Sequence, residues 1–353
     1  MNPGVFHLVV PGSLKQCTGG YIYDRRIRDT LRERGWMIEV HELPGRFPGP
    51  DPEAEAAFDS TLRELPDHAR VVVDGLALGG LPAPAIAQKR RLALIALVHH
   101  PLSEETALDP YRRRELRQLE QRALTACRRV IVTSPFTGCL LRDWLPQSIP
   151  IDVVIPGNRG ITSRAMRAHG APLLLLCVGT LTPRKGQDLL IEALDRLRAL
   201  DWECVVAGST QRDPDFAARV QKMIAQRGLA DRVRVLGECS SEDLEMLYRS
   251  GSLFVLPSWY EGYGMAFTEA MAFGLPILST TGGAIAETVP AHAGLLVPPG
   301  DIDALTLALA RLIKQPKLRE KLAQGALAHA RTLPDWHQAA TRFAASVERT
   351  SNP

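Results

Sequence analysis

Glu261-Gly-Tyr-Gly-Met-Ala-Phe-Thr-Glu269 sets two carboxylates eight positions apart around a glycine-rich turn. The apolar run Leu253-Phe-Val-Leu precedes it, and a helix former, Ala270-Met-Ala-Phe, follows it up to Gly274. The stretch therefore reads as strand, turn and helix N-terminus. A helix start carries backbone N–H groups without intrahelical partners and the positive end of the dipole, which suits a phosphate. Gly262 and Gly264 let the backbone approach a ligand with no Cβ in the way, and the amides around Gly264 and Met265 face that approach. The carboxylates Glu261 and Glu269 suit hydroxyl groups instead, such as those of a ribose and a hexose in a nucleotide sugar.

Working outward, short apolar runs alternate with amphipathic stretches, the pattern of parallel α/β sheets. Strands are expected at Val5–Val10, Met37–His41, Val71–Val73, Leu92–Val98, Val130–Thr133 and Asp152–Ile155 in the first half. In the second half they are expected at Leu173–Val178, Glu203–Ala207, Val233–Leu236, Leu253–Leu256, Ile277–Ser279 and Gly294–Val297. Helices fill the intervals, and three more follow the last strand. At roughly 150 residues per domain, the 353 residues predict two domains. The Gly/Pro-rich interval from Ile155 to Pro172 is the expected linker. Residues 1–156 then form one domain and residues 171–335 the second, with a last helix at 336–349 that has an apolar stripe of Trp336, Phe343 and Val347.

A second chemical signal lies at mid-chain. Strand Leu173–Val178 ends at Gly179, and Arg184 and Lys185 sit side by side before the helix beginning at Gln187. Two adjacent cations on a strand-to-helix loop suit a diphosphate, which needs neutralisation and hydrogen bonds together. Near the N-terminus, Pro11-Gly-Ser-Leu-Lys-Gln-Cys-Thr-Gly-Gly20 joins the first strand to the first helix, and Gly19 and Gly20 permit a close approach to phosphate there. Gly12, Gly19 and Gly20 with Glu42 do not make a dinucleotide fingerprint, because Gly-x-Gly-x-x-Gly is absent. Strand Leu92–Val98 runs into His99-His100-Pro101, a polar pair at the carboxyl end of a strand; His99 is the first choice for a site residue and His100 the second.

These stretches together resemble the retaining glycosyltransferases of the GT-B fold, family GT4 (group 1). The resemblance rests on the Glu-x7-Glu segment, Thr18-Gly-Gly20, Val178-Gly-Thr-Leu-Thr-Pro-Arg-Lys-Gly186 and Gly274-Leu-Pro-Ile-Leu-Ser279, in the order the family has them. It departs from the family at Thr180, where an arginine usually follows the glycine. The resemblance implies an α/β protein of two Rossmann-like domains facing across a cleft, with the last helix crossing back onto the first domain. It implies a donor that is a UDP- or GDP-sugar, with no cofactor. The base would lie near Gly237–Asp243, the ribose on Glu269, the diphosphate on Arg184, Lys185 and the amides near Gly264 and Met265, and sugar hydroxyls on Glu261. Gly262 and Tyr263 belong to the same turn, and a histidine at the position of His99 contacts the transferred sugar in relatives. Glu261, His99 and Lys185 are thus the expected catalytic set. Relatives retain the anomeric configuration and use no protein base, since a phosphate oxygen takes the acceptor's proton.

Composition excludes several other classes. Hydrophobic residues make up 45% and charged residues 23%, as in an ordinary globular protein. A net charge of +3 is too small to argue for nucleic acid. No run of eighteen apolar residues is present, and the N-terminus lacks the basic start of a signal peptide, so a cytoplasmic location is expected. Six cysteines without a Cys-x-x-Cys pair read as reduced thiols, and no Asp-x-Asp directly follows a strand, so no metal site is expected. The basic stretches Arg25–Arg28, Lys89–Arg91 and Tyr111–Arg114 read first as exposed helix faces. The sharper reading is a peripheral contact at the inner face of a membrane, because many relatives act on lipid-linked acceptors. The acceptor is a lipid, a glycan or a small molecule. A sugar-nucleotide epimerase would call for carboxylates in both halves, and none stands out in the first. A non-catalytic nucleotide-sugar-binding protein would bind donor without transferring it.

Overall fold

Short, nearly unbroken apolar runs, buried on both faces, produce two parallel sheets of six strands each. The computed structural model describes residues 4–162 and 172–350. Of the expected linker, residues 163–171 lie outside this range. The first sheet contains β1 (Val5–Pro11), β2 (Met37–Leu43), β3 (Arg70–Asp74), β4 (Ala93–Val98), β5 (Arg129–Val132) and β6 (Ile151–Val153), in the order β2-β1-β3-β4-β5-β6. The second contains β7 (Leu173–Val178), β8 (Trp202–Ala207), β9 (Val233–Gly237), β10 (Leu253–Leu256), β11 (Ile277–Thr280) and β12 (Gly294–Val297), in the order β12-β11-β10-β7-β8-β9. Every pairing is parallel. Such sheets need helices on both faces, which explains why β4, β5 and β10 are buried along their whole length.

The chain divides into one unit of residues 1–157 with 334–353 and a second of residues 158–333. The last helix, Trp336–Glu348, belongs to the first unit. Its N-terminus is closed by a capping box between Asp335 and Gln338. Phe343 packs 6.0 Å from Phe6 between ring centroids, Trp336 lies 6.0 Å from Tyr23, and Arg34 Nη1 donates to Thr341 Oγ1 at 2.7 Å. Gly157 passes so close to this helix that a Cβ there would lie 2.5 Å from the backbone of Trp336.

Each sheet has one point where the chain reverses its direction of travel across the strands. In the second unit it falls between β7 and β10, and in the first between β1 and β3. Loops leaving the carboxyl ends of such neighbouring strands diverge and open a crevice, the usual ligand site of doubly wound sheets.

Three short helices escaped the sequence pattern: Gly75–Leu78, Pro82–Gln88 and Ile285–Thr288. They are too short to show a period, and the prolines of Pro82-Ala-Pro84 mimic a loop, although proline is well tolerated in a first helical turn. Two helices also start earlier than the Tyr21 and Phe267 expected from the sequence. The helix after β1 begins at Gly19, so Gly19 and Gly20 are its first turn and not part of the loop. The helix after β10 begins at Met265, directly after the turn. In both cases first-turn N–H groups have no intrahelical partner to lose, so glycine or a turn there costs little.

Candidate functional site

The carboxyl ends of β7 and β10 bring Arg184, Lys185 and Glu261 together. After β7 the chain makes a single 3-10 turn, Pro183–Lys185, and then Gly186 at φ +66° starts the next helix. A Cβ on Gly186 would lie 2.3 Å from the Pro257 carbonyl oxygen, so this close passage of the two loops requires glycine. The amide of Trp259 donates to the Arg184 carbonyl at 2.8 Å and ties the loops at a second point.

Glu261 is buried, with 5% of its surface exposed. Its Oε1 accepts from Lys185 Nζ at 2.6 Å and from Ser258 Oγ at 2.7 Å, and its Oε2 lies 3.4 Å from Arg184 Nη1. Arg184 Nη1 also donates to the Tyr260 carbonyl at 2.9 Å. The Glu261 carbonyl accepts from Ala284 N at 2.8 Å, and Gly283, at φ +62°, lies against it so tightly that a Cβ would come within 2.4 Å. Burial works against the ionised carboxylate, but Lys185, Arg184 and Ser258 outweigh it and hold Glu261 down at about 2. Burial also lowers Lys185, with Glu261 opposing and Arg184 adding to the effect. Two cations against one carboxylate leave the cluster one positive charge in excess.

That excess lies beside the turn Gly262-Tyr-Gly264. Gly264 adopts φ +91° and the helix Met265–Ala272 starts immediately after it. Tyr263 is buried, its carbonyl accepts from Thr288 Oγ1 at 2.6 Å, and its hydroxyl has no hydrogen-bond partner among the described residues. Glu269, in the next turn of the helix, is half-buried and accepts from Tyr248 OH at 2.9 Å. An open depression at the end of β9 is lined by Leu236, Glu238, Cys239, Asp243 and Met246.

The first unit has its own polar cluster. His99 Nε2 lies 2.9 Å from Asp24 Oδ1 and 3.6 Å from Asp74 Oδ2. Asp24 comes from the helix after β1, Asp74 from the end of β3 and His99 from the end of β4. Asp74 Oδ1 also accepts from Leu76 N at 2.7 Å. Burial and the neighbouring Asp24 push Asp74 up to about 7, with His99 pulling the other way. Burial opposes the charge on His99, but the two aspartates raise it above its usual range. The edge of Tyr23 lies against the ring at 5.1 Å between centroids, and a Cβ on Gly20 would come within 3.1 Å of it. Gly19 is exposed, with open space at its Cα. His100 points elsewhere, with Nε2 at 3.6 Å from Glu105.

Sequence reasoning therefore missed Ser258, Tyr248, Asp24 and Asp74. The statement that the first half lacks a carboxylate set needs correction: Asp24 and Asp74 are fifty positions apart in the chain and meet only through the strand order. An aspartate ending the apolar run Val71–Val73 was the one available signal. Glu42, considered above for a dinucleotide site, braces the loop after β1, with Leu14 N donating to its Oε1 at 2.6 Å. Some of the basic residues are occupied internally. Arg25 donates to the Leu14 and Gln16 carbonyls at 2.7 Å each, and Arg91 to the Leu62 and Leu65 carbonyls. No helix among the described residues is long and apolar enough to cross a membrane.

Comparison with known proteins agrees with this architecture. The family model of Glycosyl transferases group 1 matches residues 162–329. The MMP alpha-(1->4)-mannosyltransferase of Mycolicibacterium hassiacum is 26% identical over 275 residues, 74% of this chain and 66% of that protein. The lipopolysaccharide core biosynthesis mannosyltransferase LpcC of Rhizobium leguminosarum bv. viciae is 32% identical over 211 residues, 57% of this chain and 59% of the relative. The chain thus spans between about half and two thirds of the length of the curated relatives it matches. Among solved structures, sucrose-phosphate synthase from Thermosynechococcus elongatus superposes with a TM-score of 0.80 at 20% identity, covering 98% of both chains. Anabaena Alr3699/HepE in complex with UDP gives 0.71 at 20% identity, covering 97% of this chain and 99% of that one. The chain has the GT-B fold, and its residues 162–329 match the group 1 glycosyl transferases.

Proposed function

We propose that the protein is a retaining hexosyltransferase that takes its sugar from a nucleoside-diphosphate donor. The observation that carries this reading is the excess positive charge of Arg184, Lys185 and Glu261 beside a helix N-terminus at the reversal point of the second sheet. A diphosphate placed there would draw Lys185 and Arg184 toward itself. Glu261, released from its cations, would accept hydrogen bonds from sugar hydroxyls. Glu269 and Tyr248 offer a hydrogen-bonded pair for the ribose, and the depression at Glu238–Asp243 a place for the base. As the bond to the sugar breaks, negative charge develops on the leaving diphosphate, and fixed cations and amides stabilise that charge most. Retention follows if the acceptor attacks from the face the diphosphate leaves and gives its proton to a phosphate oxygen. No cofactor enters this scheme. In the first unit, His99 and the helix start at Gly19 and Gly20 are the proposed substrate contacts, with Asp24 and Asp74 fixing the imidazole. The relatives add support, since they include mannosyltransferases, and structurally similar proteins were crystallised with UDP and UDP-glucose.

The test is thermal stabilisation by UDP, GDP and their sugars, which rises with occupancy of the folded state. Lys185→Ala removes a charge-assisted contact of about 1.5–3 kcal/mol, so it should weaken nucleotide binding by roughly ten- to a hundredfold. Glu261→Ala should lower turnover more than nucleotide affinity. Unchanged binding in Lys185→Ala would refute the site. The carboxylates beside His99 favour a second reading, a sugar-nucleotide epimerase; product analysis separates them, because an epimerase releases an isomerised donor without any acceptor.

A further inference from the structure

Away from these sites, the open edge of the first sheet carries His7, Glu39 and His41 with their ligand atoms within 4.8 Å of one another. His7 on β1 is paired in register with Glu39 on β2, and His41 lies two residues further along β2, so all three side chains share one sheet face. His7 Nδ1 is 3.1 Å from His41 Nε2 and 3.3 Å from Glu39 Oε2. We propose that these residues form a binding site for a divalent transition-metal ion of the zinc class.

Three observations carry the proposal. The first is a matter of protons. One proton on His7 Nδ1 can satisfy either the imidazole or the carboxylate opposite it, whereas a single cation is satisfied by all three lone pairs at once. The second is size. With metal–ligand bonds of about 2.0–2.1 Å, a tetrahedral site separates neighbouring ligand atoms by about 3.4 Å, close to the 3.1 and 3.3 Å from His7 Nδ1 to its two neighbours. The third is ligand type and access. Two imidazoles and a carboxylate are the ligands zinc and its neighbours prefer, over calcium or magnesium. His7 is buried at 8% exposure while Glu39 is exposed on the edge strand, so the ion has a rigid inner ligand and an open approach, with water completing its shell. His7 lies four residues before the end of β1, roughly 13 Å along the strand from the loop that leads to Gly19. The ion would therefore clamp β2 to β1 and take no part in sugar transfer.

The experiment is equilibrium dialysis of chelator-treated full-length protein against zinc, with cobalt(II) as a spectroscopic probe. The expected result is one tightly bound ion per chain, a tetrahedral cobalt d–d band, and loss of both in His41→Ala and in Glu39→Gln. The control His337→Ala, which removes an exposed histidine elsewhere, should retain both. Because Glu39 is exposed, Glu39→Gln keeps the test valid even if His41→Ala fails to fold. Absence of a tight ion in the wild type, or its persistence in Glu39→Gln with the same cobalt spectrum, would overturn the proposal.

Discussion

At the scale of single residues, buried charges dominate. Glu261 is held near 2 against an ordinary 4.5, so it contributes stability that is complete above pH 4.5 and is lost as pH falls through about 2. Glu261→Gln should abolish that acid limb and leave Lys185 and Arg184 facing a neutral amide. Removing one member of a buried ionic cluster costs about 3–5 kcal/mol, which a denaturant titration at neutral pH would detect. Asp74 behaves in the opposite sense. Its value is raised from 3.8 to about 7, so the folded protein holds a proton that the unfolded chain releases. The resulting stability is complete below pH 4 and disappears as pH rises through 7. Asp74→Asn should flatten the stability profile between pH 4 and 7. Some slope should remain, because burial also raises Glu120 to about 7, against the Leu102 and Ser103 amides it accepts.

At the scale of elements, the site depends on how loops pass each other. Gly186 combines φ +66° with a backbone contact that leaves no space for a methyl group. Gly186→Ala should therefore cost more than the roughly 1 kcal/mol typical of glycine replacement in a left-handed position, and should displace Lys185. Calorimetry would show the lower melting temperature, and nucleotide binding would fall with it. The capping box of the last helix makes a smaller contribution. Asp335→Ala removes the acceptor for Gln338 N at 2.7 Å and should cost about 1 kcal/mol, read as a lower unfolding midpoint without loss of nucleotide binding. The strand and helix pattern was legible in the sequence because parallel strands buried on both faces appear as unbroken apolar runs. The exact starts of the site helices were not legible, since turn and first helical turn share the same glycine-rich composition.

At the scale of the whole molecule, the two units each bury their own core, and the last helix belongs to the first. Nucleotide should accordingly raise the unfolding transition of residues 158–333 by mass action, whereas removal of residues 334–353 should lower that of the first unit, where Phe343 and Val347 are fully buried. Differential scanning calorimetry with and without UDP distinguishes the two effects. The sequence by itself determined the alternating α/β architecture, the cationic loop at Arg184 and Lys185 and the Glu261 turn, because each is a local pattern within a few consecutive residues. Only the tertiary structure decided that Lys185 and Glu261 form an ion pair, that Asp24 and Asp74 close on His99, and that His7 meets Glu39 and His41. Those contacts join positions tens of residues apart, and they are set by the order in which strands lie side by side, which no local run of side chains specifies.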